Sequence, residues 1–221
     1  MSSPPGPGLP PAKIPTFGTY QLKQGTVIHR VFTVAKNRTA ATFNPGIGGP
    51  TRFAPIQEQE HGGKRRVIPT LYAGMSFEAA VFETVFRDIA PAPQPRQVRE
   101  ASFINCAHAE ITLRRDIDLG PLFNQNLKIL GQTRQTMIEC HGVPAYGETA
   151  RWAEAIHNSQ SGLHGVAWMS RQQDSELAML LYGDRLDEAD LDIGKTTVLG
   201  TGPGRKRMSD LAALFRVDII P

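Results

Sequence analysis

The 221-residue chain is poor in cysteine, with only Cys106 and Cys140. Two cysteines cannot build a disulfide framework, and with no close pair they do not suggest zinc, so both read as free, structural thiols. Long apolar runs are missing as well. No stretch approaches the ~20 residues that a membrane helix needs, and the first residues lack the basic region and apolar core of a secretory signal. The chain also lacks a strong charge of one sign: 24 Lys and Arg against 21 Asp and Glu leave a formal net charge of +3. That permits an anionic ligand but does not argue for nucleic acid, and no nucleic-acid motif is present. His141 and His157 have no third ligand at metal spacing. A phosphate loop would need Gly-Lys-Ser/Thr before a helix; that pattern and the dinucleotide glycine fingerprint are both absent. The expectation is a cytoplasmic protein with no metal and no membrane contact. Export by a route that uses no signal stays open.

Proline and glycine are plentiful, at 17 and 21 residues. They gather first in residues 1–18, which read as a flexible Pro/Gly-rich tail. Residues 19–221 are long enough for one domain with a real core. Hydrophobic periodicity predicts strands over Thr26–Val34, Val67–Ala73, Ala101–Leu113, Gly165–Ser170, Glu176–Tyr182, Leu191–Val198 and Val217–Ile220. It predicts helices from Ser76 to about Asp88, over Tyr146–Asn158 and over Leu211–Arg216. Gln57–Arg66 reads as a polar connecting loop and residues 90–96 as an extended prolyl run. Asp116–Leu119 reads as the start of a turn, and Leu122–Leu130 fits a helix or a strand equally. Arg205-Lys206-Arg207 reads as a wet surface. Strand outweighs helix, without the regular alternation of a doubly wound sheet. The fold class is therefore α+β, a strand-rich core with flanking helices.

The stretch from Val67 to Asp88 organises the rest. Its helix is apolar on most sides, with Phe77, Ala79, Ala80, Val81, Phe82, Val85 and Phe86. Such a helix is buried, yet Glu83 stands beside Ala79, Ala80 and Phe86 on the wheel. A carboxylate there must be paired or must border a ligand cavity. Arg30 shares a strand face with Ile28 and Phe32, and an inward arginine wants an anion or a carboxylate. Arg52 and Phe53 follow the Gly48-Gly49-Pro50 turn, a setting that suits a phosphate and a flat ring as readily as an ordinary surface turn. Two readings stand on these residues alone: an internal Arg30–Glu83 ion pair with Tyr72 in the core, or a ligand site.

Four segments in order resemble the RES domain family, the toxins of RES–Xre toxin–antitoxin pairs. They are His29-Arg30-Val31-Phe32, the glycine loop leading to Arg52-Phe53, Leu71-Tyr72-Ala73 with the helix bearing Ala79, Ala80 and Glu83, and Gly165 to Arg171. The resemblance spans about residues 24–190. Ala54 stands where asparagine often follows the Arg-Phe pair, and Trp168 where tyrosine is usual. The resemblance implies an ADP-ribosyltransferase-like fold and an NAD+ glycohydrolase or phosphorylase, with NAD+ as substrate and not as a retained cofactor. It implies catalytic Arg30, Tyr72, Glu83 and Ser170, and substrate binding by Arg30, Arg52, Phe53, Tyr72 and Ser170. It also implies an Xre-like antitoxin; an antibacterial effector with an immunity protein is the variant reading, and a homo-oligomer is compatible with either. ADP-ribosylation of a macromolecule is the competing enzymatic reading. A nucleic-acid or protein-binding module is the non-enzymatic one.

Overall fold

The computed structural model describes residues 6–35, 37–59, 63–89, 95–172 and 175–221. In chain order its elements are β1 (Tyr20–Leu22), β2 (Val27–Thr33), β3 (Ile56–Gln59), β4 (Arg65–Ile68), β5 (Thr70–Gly74), α1 (Phe77–Phe82), β6 (Gln97–Arg99), β7 (Cys106–Leu113), β8 (Ile117–Pro121), α2 (Asn124–Ile129), α3 (Val143–Ser159), β9 (Gly165–Met169), β10 (Leu177–Tyr182), β11 (Leu191–Val198), α4 (Gly202–Leu214) and β12 (Asp218–Ile220). Eight strands form one sheet in the order β1-β8-β9-β10-β5-β2-β7-β11, and two-stranded ribbons, β12-β6 and β3-β4, flank it. This is the mixed, strand-rich α+β architecture that the alternation signals predict.

Period-two alternation sorts the central strands. Trp168, Ala178, Leu180 and Tyr182 face one way, onto Trp152 and Ile156 of α3. Ala167, Leu177, Met179 and Leu181 face the other, with Ile28, Leu71 and Ile111. All six residues of β10 are buried, as a central strand covered on both faces must be. A third cluster joins Phe77, Val81 and Phe82 of α1 to Phe103 and to Met208 of α4.

The sheet is not evenly zipped. β2 pairs with β7 over seven residues and β10 with β5 over five, but β2 and β5 meet only at His29 and Gly74. Beyond that pair the two halves of the sheet diverge and leave a cleft. Gly74 sits at the junction because α1 presses on it. A Cβ there would lie 2.7 Å from the Ala79 Cβ and 2.9 Å from the Ala80 nitrogen. The Ser76 hydroxyl accepts from the Ala79 N–H at 3.1 Å and starts the helix beside this junction.

Several expectations need correction. The apolar stretch predicts a helix to about Asp88, but α1 stops at Phe82 and Glu83 is its C-cap. Thr84 turns its hydroxyl back onto the Ala80 carbonyl at 2.6 Å, and the Phe86 N–H reaches back to Val81. Such back-bonding opens the backbone out of the regular helix. Gln57–Arg66 is no plain loop: its ends pair as the β3-β4 ribbon, with Ile56 buried opposite Ile68 and an outward Arg66–Glu58 pair at 2.9 Å. Asp116–Leu119 does not end in a turn but enters β8, where Ile117 and Leu119 point inward. Leu122–Leu130 holds α2, and α3 begins at Val143, ahead of the expected Tyr146. α4 begins at Gly202, with proline in its first turn where the missing N–H costs nothing. Arg207 of the basic run is exposed, as a wet surface requires, and its guanidinium also lies 3.8 Å over the Phe77 ring. Of the prolyl run 90–96, residues 90–94 lie outside the described residues.

The described part of the Pro/Gly tail is seated on the domain. The Gly8 carbonyl accepts from Trp152 Nε1 at 2.9 Å, the Gly8 N–H donates to Glu148 at 2.9 Å, and Ile14 and Phe17 are buried. A buried indole N–H needs an acceptor, and this strap supplies it.

On β2 and β7, His29 Nδ1 and His108 Nε2 lie 2.9 Å apart. Burial first, then the charges of Arg207, His29 and Lys195, push His108 down to about 3. Burial also lowers His29. Below the ordinary histidine value of 6.5, the unfolded chain therefore binds protons that the folded chain refuses. Stability must then fall as pH drops from 6.5 toward 3. Thermal midpoints recorded at pH 7 and pH 5.5 should show the acidic loss, and His108→Phe should shrink it; equal slopes in both proteins would contradict this assignment.

Candidate active site

The cleft between β2 and β5 holds a cavity of about 590 Å³. Arg30 and Thr33 of β2, Tyr72 of β5, Glu83 at the end of α1 and Arg52 from the preceding loop all reach it. The splayed sheet supplies the space, and the close approach of α1 at Gly74 brings Glu83 to its wall.

Glu83 is held from both sides. Arg52 Nη1 donates to its Oε2 at 3.1 Å, and the Ser170 hydroxyl donates to its Oε1 at 2.7 Å. Glu83 is 7% exposed, Arg52 2% and Ser170 0%. Among their supports Thr149 is fully buried, while Arg134 and Glu176 are half-buried. Thr149 donates to the Arg52 carbonyl, Arg134 donates to the Ser170 carbonyl at 3.0 Å, and the Ser170 N–H bonds Glu176 at 2.8 Å. Arg52 Nε is buried with no hydrogen-bond partner among the described residues. A buried guanidinium with a spare donor is a poised anion contact.

Tyr72 closes another side. Its hydroxyl lies 2.9 Å from Thr51 Oγ1 and accepts the Phe53 N–H at 3.1 Å. Burial raises the phenol pKa against the pull of those two bonds, so the ring stays neutral. Its ring packs edge-on against Trp168, at 6.1 Å between centroids. Arg30 donates to the Ala40 carbonyl. Burial, then the neighbouring Arg38, lowers it to about 9, which still leaves it cationic at neutral pH. Behind the site, Arg171 donates to the Arg87 carbonyl at 2.7 Å, and Gln172 donates to the carbonyls of Phe86 and Ile89. These bonds latch the turn that follows Glu83. Burial, then the Arg52 charge, lowers the Arg171 guanidinium.

Of the residues singled out from sequence, Arg30, Arg52, Tyr72 and Glu83 share the cavity, and Ser170 stands directly behind Glu83. The internal ion pair exists with a different partner: Glu83 meets Arg52, not Arg30. Phe53 is 0% exposed and lies edge-on to Trp168 at 4.9 Å, so its ring packs the core and its backbone N–H serves the site through Tyr72. Sequence reasoning passed over Arg38, Thr51, Arg87 and Arg99, which also line the cavity. Arg87, four residues after Glu83, and Thr51, next to Arg52, carried a signal in their spacing. Arg38 and Arg99 carried none.

Chemically, the arrangement offers a fixed carboxylate beside a neutral phenol, under a rim rich in guanidinium. It suits a ligand with an anionic linker and a centre that becomes positive during reaction. Among the described residues no group of three or more His, Cys, Asp or Glu could hold a metal, and no helix is long and apolar enough to cross a membrane.

The RES domain family model matches residues 27–198. Among curated proteins none matches the chain. Among solved structures, a chain of the Mycobacterium tuberculosis MbcT–MbcA toxin–antitoxin complex shares the fold. Its TM-score is 0.57 at 15% identity, over 87% of this chain and 92% of that one. The family match takes in every strand of the cleft together with Arg30, Arg52, Tyr72, Glu83 and Ser170, and this chain belongs to the RES domain family.

Proposed function

We propose that this chain degrades NAD+ by breaking its nicotinamide–ribose bond, as a toxin acting in the bacterial cytoplasm. The observation that carries the reading is the buried Glu83 carboxylate, fixed by Arg52 and Ser170 at the wall of an arginine-rimmed cavity. NAD+ joins a pyrophosphate, two riboses, adenine and a cationic nicotinamide. When the bond from ribose C1′ to the nicotinamide nitrogen breaks, its electron pair leaves with neutral nicotinamide and positive charge develops on the ribose. Such a reaction needs placement and electrostatic support more than a strong base.

Each residue then has a task. Arg30 and Arg52 attract the pyrophosphate and the adjoining ribose oxygens. Tyr72 presents a ring face to nicotinamide and a neutral hydroxyl to the ribose. Glu83 accepts from ribose hydroxyls and stabilises the oxocarbenium-like centre, while Ser170 keeps the carboxylate aimed. Phe53 supports Tyr72 from the core. Water or phosphate attacks C1′ to give ADP-ribose or its 1-phosphate. No cofactor is retained, since NAD+ is consumed. The structurally similar chain comes from a toxin–antitoxin complex, and a neutralising partner that covers this cleft, an Xre-like antitoxin or an immunity protein, fits the same reading.

The test is product analysis by mass after incubation with NAD+, with and without phosphate. ADP-ribose in both buffers names water as acceptor, and ADP-ribose-1-phosphate in phosphate alone names phosphate. ADP-ribose found only on an added macromolecule would replace hydrolysis and phosphorolysis with transfer.

A further inference from the structure

The cavity carries more positive charge than NAD+ can use. Five arginines line it, Arg30, Arg38, Arg52, Arg87 and Arg99, against two carboxylates, Glu83 and Asp88. Two of the five are matched: Arg52 pairs with Glu83 at 3.1 Å and Arg87 with Asp88 at 3.2 Å. Arg30 donates to the neutral Ala40 carbonyl. Arg38 and Arg99 have no side-chain hydrogen bond or ion pair among the described residues. Three cations thus stand outside any ion pair among the described residues. The NAD+ pyrophosphate brings only two negative charges.

The three are not at one place. Arg30 of β2 and Arg38, five residues past the end of that strand, both line the cavity. Arg99 ends β6, on another wall, with Gln97 on the same strand and Ser102 in the turn that follows. That wall meets β2 near its end, where Thr33 pairs with Cys106. Arg99, with Gln97 and Ser102 beside it in the cavity lining, offers a polar, cationic wall on a different element, which suits a phosphorylated ribose.

Building on the NAD+ reading above, we infer that the cleft also accepts NADP+, with Arg99 as the residue that recognises its 2′-phosphate, assisted by Ser102. The bond broken and the acceptor are the same as for NAD+; only the adenosine end differs. Arg99 is a specificity-determining residue and takes no part at C1′.

The experiment compares kcat/KM for NADP+ and NAD+ in the wild type, Arg99→Met and Arg99→Lys. The wild type should turn over NADP+ within about tenfold of NAD+, and Arg99→Met should lower the NADP+/NAD+ ratio at least tenfold, a charge-assisted contact being worth that much. Arg99→Lys should recover part of the ratio, since it keeps the charge without the planar fork. NAD+ turnover without NADP+ turnover, or an equal loss for both in Arg99→Met, overturns the inference and leaves the NAD+ reading standing. A second measurement does not depend on turnover. Titrated calorimetrically into the wild type, adenosine 2′,5′-bisphosphate should bind at least tenfold tighter than 5′-AMP, and Arg99→Met should remove the difference. Equal affinities in the wild type overturn the inference whether or not NAD+ is consumed.

Discussion

Glu83→Gln should lower kcat for NAD+ consumption about 10³-fold, with KM changed far less. The substitution is close to isosteric. The amide oxygen can accept from Arg52 and the amide nitrogen can donate to Ser170, so both contacts at 3.1 and 2.7 Å have replacements. What disappears is the negative charge opposite the carbon that becomes cationic. A preorganised charge in a buried site is worth ~4 kcal/mol of barrier, which is about three powers of ten. Because the charge matters most in the transition state, the loss falls on kcat. Glu83→Ala would confuse two effects, since it leaves the Arg52 guanidinium buried without its counter-charge, at a cost of about 3–5 kcal/mol in stability. The double variant Arg52→Met/Glu83→Gln separates them. With both charges removed it should regain stability relative to Glu83→Ala and still fail to consume NAD+. Steady-state kinetics and thermal melts on the same preparations check both statements. Near-normal kcat in a folded Glu83→Gln protein would remove the central assignment.

Trp168→Ala should cost about 3–5 kcal/mol of stability, the range for deleting a large buried aromatic side chain. Trp168 is fully buried on β9, between a strand paired parallel and one paired antiparallel. Phe53 and Tyr72 both rest edge-on against it. Its removal would therefore let Tyr72 drift from Thr51 and reduce activity in whatever fraction remains folded. For a chain of this length the melting point should fall by about 6–20 °C. Trp168→Phe should be far milder. The indole Nε1 is buried without a hydrogen-bond partner among the described residues, and phenylalanine removes that orphaned donor while keeping much of the ring. Denaturant titration of the two variants measures the difference. Equal destabilisation by Phe and Ala would show that the site depends on the whole indole.

Much of this site was legible in the residues before the fold was known. Glu83, set beside Ala79, Ala80 and Phe86 in the apolar run 77–86, had to be paired or functional, because burial leaves a carboxylate no third option. The inward arginine of β2 followed from alternation alone. The pairing itself was not legible. Arg52 and Glu83 are 31 residues apart, and they meet because Gly74 lets α1 lie on β5 and because the Arg52 carbonyl is anchored to Thr149, 97 residues away. Local pattern carries no record of contacts made at that separation. The α1 boundary was misjudged because apolar content continues past Glu83, while one hydroxyl, that of Thr84, redirects the backbone. The β3-β4 ribbon was hidden by its polar outer face. The strap over α3 was hidden for another reason: Trp152 takes its acceptor from Gly8, 144 positions earlier. The cleft was illegible as well, since it arises from the single His29–Gly74 contact between two otherwise well-paired halves. Sequence periodicity predicts strands and is silent about where a sheet fails to close.

The most direct test of the account is release of free nicotinamide from NAD+ by the purified, folded protein, followed in phosphate buffer by mass or NMR. The account predicts nicotinamide in step with NAD+ loss, together with ADP-ribose or its 1-phosphate, and release slower by about 10³-fold from Glu83→Gln. Intact NAD+ after prolonged incubation with folded wild-type protein would contradict it.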